Sequence, residues 1–431
     1  MNTSSTMNYS DLSHRLTKEL STKDKRQQGI YFSPPQTIQT LLTLLTPYWK
    51  DIHTILEPSC GSCEFITQIE SIIKTQQLKA RITGIEKNST IFQNIELKKS
   101  EITTLHNEDF LQYDGLVEKS FDLIIGNPPF FVCKKKDIDK QYYPYFSGRP
   151  NIFILFIIRA LELLAPNGIL AFILPSSFMN CQYYEKTRRY IKKNFTILSI
   201  TEGTDDYLET KQKTIIVIIQ KKQSEPTINY PFFYQLGTQL ICGPPSTIQQ
   251  LKELTKDSTT LDKLQYKVSV GTVVWNQCKD ILTKDETKTR LIYSSDIKDN
   301  TLSKPTFKNL QKKHHIDKPG ITDSVLVLTR GYGVGKFSLN YCLLEKQPQE
   351  YLIENHLTCI QPKVTKDETE KMKDYKKIIE SLENPKTAQF IQLYCSNQAL
   401  NCTELQTVLP IYIDKKCLPH QSDSANESES L

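Results

Sequence analysis

The chain has 431 residues, 38% hydrophobic and 24% charged, with a formal net charge of +6. That length suggests two domains or three, and the mild positive bias is compatible with a polyanionic partner. No apolar run is long enough to cross a bilayer, no basic segment followed by an apolar one opens the chain, and the 11 cysteines are scattered; an intracellular soluble protein with reduced thiols, not membrane-bound, is expected.

Residues 1–28 are polar and rich in Ser, Thr and Lys, with a short helix expected from Tyr9 to Leu20. Gly29-Ile30-Tyr31-Phe32-Ser33-Pro34-Pro35 reads as a turn into a helical pattern from Thr37 to Leu45. Proline favours a helix start, and a helix N-terminus can receive an anion. Ile52–Leu56 reads as a strand running into the small-residue loop Glu57-Pro58-Ser59-Cys60-Gly61-Ser62-Cys63 and a helix to about Lys74. Strand, tight loop and helix let a cofactor approach the backbone. Cys63 fits that loop if its backbone torsion is negative. Cys60 and Cys63 form an isolated C-x-x-C without a second pair at ligand spacing, so they read as packing residues.

Arg81–Glu86 reads as a second strand with an acid at its end, at the spacing of roughly 20 residues where Rossmann-like folds keep a carboxylate for ribose hydroxyls. A third short pattern, Ile102–Leu105, leads to Glu108-Asp109-Phe110. The fourth run, Phe121–Ile125, is apolar and β-branched. Gly126 ends it, and Pro128 and Pro129 cannot donate to a ladder. The result is a stiff loop at a strand's carboxyl end. It offers the Asn127 side-chain oxygen, proline-locked carbonyls and the Phe130 ring. Acceptors beside an aromatic face suit an amino group on a flat heterocycle. Each of these segments, taken alone, also reads as ordinary loop or core.

Beyond that loop, Lys134-Lys135-Lys136 reads as solvated. A long apolar helix follows from Asn151 to about Leu164, then a strand Ile169–Leu174, a helix Tyr183–Lys192 and strands Ile197–Ile200 and Thr214–Gln220. Residues 29–222 thus form one α/β domain, and the prolines of residues 223–245 mark a linker. From 246 to 416 the chain changes to short β-like runs, at Lys267–Val274, Arg290–Tyr293, Ser324–Thr329 and Lys336–Leu343, with helices at Thr247–Leu254 and Ala388–Ser396. Arg330-Gly331-Tyr332-Gly333-Val334-Gly335-Lys336 reads as a glycine hairpin, since it lacks the Ser or Thr that ends a Walker loop. His314-His315 reads as polar loop rather than metal site. Residues 417–431 are expected to be a disordered tail.

Taken jointly, the acid-proline loop at Glu57, Glu86, Asp109-Phe110 and Asn127-Pro128-Pro129-Phe130 resemble the ordered motifs of the γ-type adenine-N6 DNA methyltransferases. Val270-Gly271-Thr272-Val273-Val274-Trp275-Asn276, Thr329-Arg330-Gly331 and Glu354-Asn355-His356 resemble, more loosely, that family's target-recognition domain. The resemblance implies an α/β fold: a mostly parallel, Rossmann-like catalytic domain that binds S-adenosylmethionine, followed by a mixed α+β domain that recognises DNA. It implies that Tyr31, Ser33, Glu57, Cys60, Gly61, Glu86, Asp109, Phe110 and Asn127 contact the cofactor. It further implies that Asn127 and the Pro128 carbonyl hold the target amino group. Phe130, with Pro129 beside it and Tyr207 opposite, would sandwich a flipped adenine. Lys134, Arg330 and Lys336 are the candidate DNA contacts. The implied partners are duplex DNA and a separate cognate restriction endonuclease, with a monomer acting on DNA. An RNA adenine-N6 or protein-glutamine methyltransferase carries a similar loop, and a catalytically silent DNA-binding module remains a rival. A cytosine-N4 enzyme fits less well, because many of those carry Ser where Asn127 stands.

Overall fold

The β-branched apolar runs line up as neighbours in one sheet because each can bury both faces only between layers of helix. A computed structural model describes residues 8–96, 100–116, 119–204, 207–210, 212–222, 230–329, 340–394 and 400–413. The chain divides into two compact units, Met1–Gln249 and Gln250–Leu431.

The first unit begins with α1 (Asp11–Glu19), α2 (Thr22–Gln28) and α3 (Pro35–Leu44). It continues through β1 (Thr54–Glu57), α4 (Glu64–Gln76), β2 (Arg81–Ile85), α5 (Ser89–Gln93), β3 (Thr103–His106) and β4 (Phe121–Gly126). Then come α6 (Ile152–Glu162), β5 (Leu164–Pro175), α7 (Glu185–Asn194), β6 (Thr196–Glu202) and β7 (Thr214–Gln220). The seven-stranded sheet has the order β3-β2-β1-β4-β5-β7-β6. Strands β1 to β5 run parallel, and β7 inserts antiparallel between β5 and β6. The order reverses beside β1, so the carboxyl ends of β1 and β4 flank the crevice where such sheets bind ligands.

Two apolar layers clamp the sheet. Ile38, Leu41, Ile66 and Ile69 pack with Ile55, Leu123 and Ile125 on one side. Phe153, Ile154, Ile157 and Leu161 pack with Leu56, Ile124 and Leu170 on the other. Helix α6 is buried on nearly every face, as its IFILFII run requires. Truncating a central side chain such as Ile124 would cost about 2–5 kcal/mol by cavity formation.

Two features of this unit depart from the sequence reading. The polar N-terminal stretch forms two helices, not one. Helix α2 is capped by Ser21, whose hydroxyl accepts from the Asp24 amide, and ends at Gly29 in the left-handed conformation. The stretch expected as linker contains a hairpin, β8 (Phe233–Leu236) and β9 (Gln239–Cys242), and Phe233, Leu240 and Cys242 join the core beside α6. Helix α8 (Pro245–Thr255) follows and carries the chain from one unit into the other.

The second unit adds β10 (Tyr266–Val270), β11 (Leu282–Thr283), β12 (Thr289–Ile292), β13 (Ile297–Lys298), β14 (Thr301–Leu302) and β15 (His315–Ile316). Next are β16 (Val325–Thr329), β17 (Tyr341–Leu344), β18 (Tyr351–Ile353) and β19 (Leu357–Pro362). Helices α9 (Glu368–Glu383), α10 (Pro385–Tyr394) and α11 (Cys402–Thr407) close it. Its larger sheets have the orders β10-β19-β16-β17 and β11-β15-β12-β18. His315 lies in β15 and is buried, so it departs from the polar loop expected from sequence, while His314 stays outside the strand.

Candidate cofactor and catalytic site

Strand β4 delivers Asn127 to the crevice with its amide held in one sense. Its Nδ2 donates to Ser33 Oγ at 3.0 Å and to the Tyr31 carbonyl at 3.4 Å. A carbonyl can only accept, so the nitrogen faces Tyr31 and Oδ1 is turned the other way. That oxygen is buried and has no hydrogen-bond partner. Buried polar atoms rarely stay unpaired without a functional reason. The Asn127 carbonyl accepts from Ser59 Oγ at 3.2 Å, tying the β4 loop to the β1 loop.

The segment before α3 is pressed against the same loop. At Gly29 φ is +67°, and a Cβ there would lie 2.7 Å from the Phe130 amide nitrogen and 3.0 Å from Pro129 Cβ. Only glycine meets both demands. Helix α1 is anchored to the start of α4: the Ser10 amide and the Ser13 hydroxyl both donate to Glu64 Oε1, at 3.0 and 2.6 Å. Asn88 Nδ2 donates to Gln28 Oε1 at 3.0 Å. The N-terminal helices therefore cover the cofactor side of the site.

Between these elements lies a cavity of about 260 Å³. Its walls include Tyr31 and Asn127 at one end and Asp109 and Phe110 at the other, with Gly61 and Glu86 between. Glu86 Oε2 accepts from the Gly61 amide at 2.9 Å and Oε1 from the Asn88 amide at 2.6 Å, which fixes the carboxylate at the end of β2. Burial raises its carboxyl above the ordinary range, against those two bonds. Asp109 accepts from the Leu111 amide at 3.1 Å and pairs with Lys87 Nζ at 2.8 Å. Phe110 is buried, its ring 5.0 Å from that of Phe156.

Not every residue singled out from sequence lines this cavity. Glu57, Cys60 and Ser33 are buried behind it. Burial, then the nearby Cys63 and Glu86, raise the Glu57 carboxyl well above the ordinary carboxylate range, and its Oε2 has no partner. Cys63 contradicts the expected negative torsion: its φ is +65° as it caps α4. Pro128 is buried, while Phe130 is half-buried and meets Phe153 edge-on at 5.9 Å. The Tyr207 hydroxyl is buried alongside the Asn127 and Thr214 side chains, without hydrogen-bonding geometry to either. Burial pushes its phenol up to about 12, so it stays neutral. Lys134 is exposed at a turn. Arg330 and Lys336 lie outside the described residues.

Other wall residues carried no sequence signal. Phe131, Ile91, Phe156 and Gln28 are ordinary apolar or polar letters until the fold gathers them. Phe131 could have been suspected, because it follows Phe130 directly and one of two adjacent rings must face away from the other.

The sheet order and a strand-end carboxylate beside a glycine loop give the chain the fold of the class I S-adenosylmethionine-dependent methyltransferases. The cavity fits that cofactor, with an aromatic and carboxylate end at Phe110 and Asp109, a carboxylate at mid-length in Glu86, and the unpaired amide oxygen of Asn127 at the other end. Residues 38–207 match the Eco57I restriction-modification methylase family model. The chain is 26% identical over 360 residues to the type II methyltransferase M.CvrRI of Paramecium bursaria Chlorella virus XZ-6E, covering 82% of this chain and 88% of that one. It is 31% identical over 230 residues to the modification methylase CviBIII of Paramecium bursaria Chlorella virus NC1A, covering 52% and 57%. With M.AccI of Acinetobacter calcoaceticus it shares 26% over 193 residues, 43% of this chain and 34% of that one. The fold is shared with the protein of a DrdV–DNA complex solved by cryo-EM, at a TM-score of 0.52 and 13% identity over 94% of this chain and 57% of that one. The chain is thus similar, over most of its length, to type II methyltransferases, and residues 38–207 match the Eco57I-type methylase model.

Proposed function

We propose that the protein methylates N6 of an adenine at a specific site in duplex DNA, with the adenine turned out of the helix into the crevice beside Asn127. The observation that carries this reading is the buried, unpartnered Oδ1 of Asn127, fixed in direction by its Nδ2 bonds to Ser33 and Tyr31. An exocyclic amino group brings two protons, one for that oxygen and one for the Pro128 carbonyl. Accepting both withdraws the amino lone pair from the ring and points it outward. When bound, S-adenosylmethionine supplies the electrophilic methyl. The remaining work belongs to the chain: Glu86 and Asp109 set the cofactor's place, Asn127 sets the amine's direction, and burial keeps water out. No strong base is needed before attack, because the nitrogen becomes acidic only after it gains the methyl. Catalysis is then positioning and preorganised acceptors.

Phe130, partly exposed beside Asn127, offers a face for the extruded base, and Tyr207 brings a second ring to the same side chain. We assign the second unit to target selection, the protein acting as a monomer alongside a separate endonuclease of the same site preference.

The test is nucleoside mass spectrometry after incubation of duplex DNA and RNA with the protein and labelled cofactor. Label in N6-methyladenine of DNA is expected. Label in N4-methylcytosine, or in RNA alone, would refute the assignment. Asn127→Ala should lower transfer by about 10²–10³-fold while leaving cofactor affinity near that of the parent.

A further inference from the structure

The second unit holds a concavity of about 650 Å³ built largely by the segment between β14 and β15. From Ser303 to Lys318 the sequence carries five lysines against one aspartate. Phe307 lines it, over an aromatic cluster. Trp275, Tyr293 and Phe307 sit on the apolar cluster beneath, and Lys312 Nζ lies 5.0, 4.5 and 5.6 Å from their ring centroids. Among the described residues Lys312 has no carboxylate partner. Cation–π contact holds the ammonium in place without neutralising it. Lys304 pairs with Glu286 at 2.6 Å, but both side chains are about half or more exposed, so the pair exchanges readily with a competing anion. The Lys313 ammonium donates to the Leu310 carbonyl, a neutral acceptor, at 2.6 Å. His314 stacks on Phe307 at 4.4 Å, and its Nδ1 is buried without a partner. At the tip, Leu310 is 84% exposed amid these cations.

We propose that this segment grips duplex DNA, with Lys304, Lys312 and Lys313 on backbone phosphates and Leu310 entering a groove against base edges. The proposal rests on the reading that DNA is the substrate, and it assigns a surface which that reading left unplaced. A free phosphate would account for the cations but not for an apolar tip held out between them. A groove flanked by phosphates accounts for both. Lysine–phosphate contacts neutralise charge and release counterions, so each one steepens the fall of affinity with salt. An apolar contact adds affinity without altering that dependence.

The experiment is fluorescence anisotropy of a labelled duplex with the full-length protein over a salt series, with cofactor binding measured in parallel. For Lys304→Gln/Lys313→Gln, both outside the core, the log-affinity against log-salt slope should drop by about 2, with affinity at about 0.1 M salt reduced roughly tenfold or more. Leu310→Ser should weaken binding at an unchanged slope. Cofactor affinity and the thermal unfolding profile should both match the parent in each variant, which reports that the two units have folded. An unchanged slope in the lysine variant, with the parent binding duplex normally, overturns this proposal alone. A parent protein that binds cofactor but not duplex overturns it together with the reading of the substrate. Binding that prefers RNA or an acidic protein through these lysines also overturns it.

Discussion

Ser33 Oγ stands 3.0 Å from Asn127 Nδ2, and that contact decides which end of the amide is left unpartnered. A freely turning asparagine would present its NH₂ about as readily as its oxygen, and an NH₂ repels an amino group. Ser33→Ala should therefore lower kcat about 3–10-fold, the worth of one hydrogen bond of about 0.5–1.5 kcal/mol, with the cofactor dissociation constant changed less than about twofold. Ser33→Thr should restore most of the rate. A rise in cofactor Kd that matches the fall in kcat would instead give Ser33 a binding role.

Gly29 is the pivot between the N-terminal helices and the Asn127 loop. Gly29→Ala introduces a Cβ 2.7 Å from the Phe130 nitrogen at a φ of +67°. Left-handed strain alone costs about 1–2 kcal/mol. The midpoint of thermal unfolding should fall, and methyl transfer should fall further than stability explains, because the clash moves the loop that holds the acceptors. Calorimetry with single-turnover rates separates the two effects.

Glu57 makes stability depend on pH. Burial raises its folded carboxyl well above the unfolded value, so the protonated form is the one that folding favours. The contribution is complete below the unfolded pKa of about 4.3 and is lost as pH rises through the folded value. In urea titrations without cofactor, the parent should lose stability relative to Glu57→Gln across that rise, at no more than about 1.4 kcal/mol per pH unit. Parallel curves for the two proteins would contradict the burial argument.

Lys25 and Glu209 form an ion pair that joins α2 to the segment carrying Tyr207. The lysine also donates to the Thr17 carbonyl at 2.6 Å. The Lys25 side chain is only 6% exposed, whereas Glu209 is 30% exposed. Removing the acid strands a buried ammonium, so Glu209→Gln should destabilise the protein by about 1–3 kcal/mol, below the 3–5 of a fully buried pair. Lys25→Met should cost less than Glu209→Gln, because no charge is stranded. Chemical denaturation of both variants checks the order.

Much of the cofactor site was legible because its signals are local. Gly61 follows a β-branched strand, Glu86 and Asp109 end the next two, and Pro128 and Pro129 forbid continuation of β4; such punctuation survives without knowledge of the fold. The continuous apolar runs of β1, β4, β5 and β7 are local in the same way. Helix α2 escaped because Thr22–Gln28 is polar throughout, and its helicity comes from the Ser21 cap and from docking. The β8–β9 hairpin was hidden by Pro231 and Pro244, which read as linker while Phe233 and Leu240 between them bury in the core. Cys63 adopts a left-handed torsion that its letter disfavours, held there by complete burial. The second unit's strands of two to six residues are set by partners distant in sequence, so their boundaries follow no local period.

The antiparallel insertion of β7 has a temporal consequence. In the sheet β6 bonds only to β7, and β7 is also its one link to β5. On the ribosome, every parallel strand and the Asn127 loop emerge before the residue that lets the edge close. Until Gln220 leaves the exit tunnel, the Ile197–Ile200 stretch and one flank of β5 remain unpaired apolar edges. A nascent chain stalled within that window offers sticky β-surface to holdase chaperones, and the length of the window is set by the order of strands rather than by their stability.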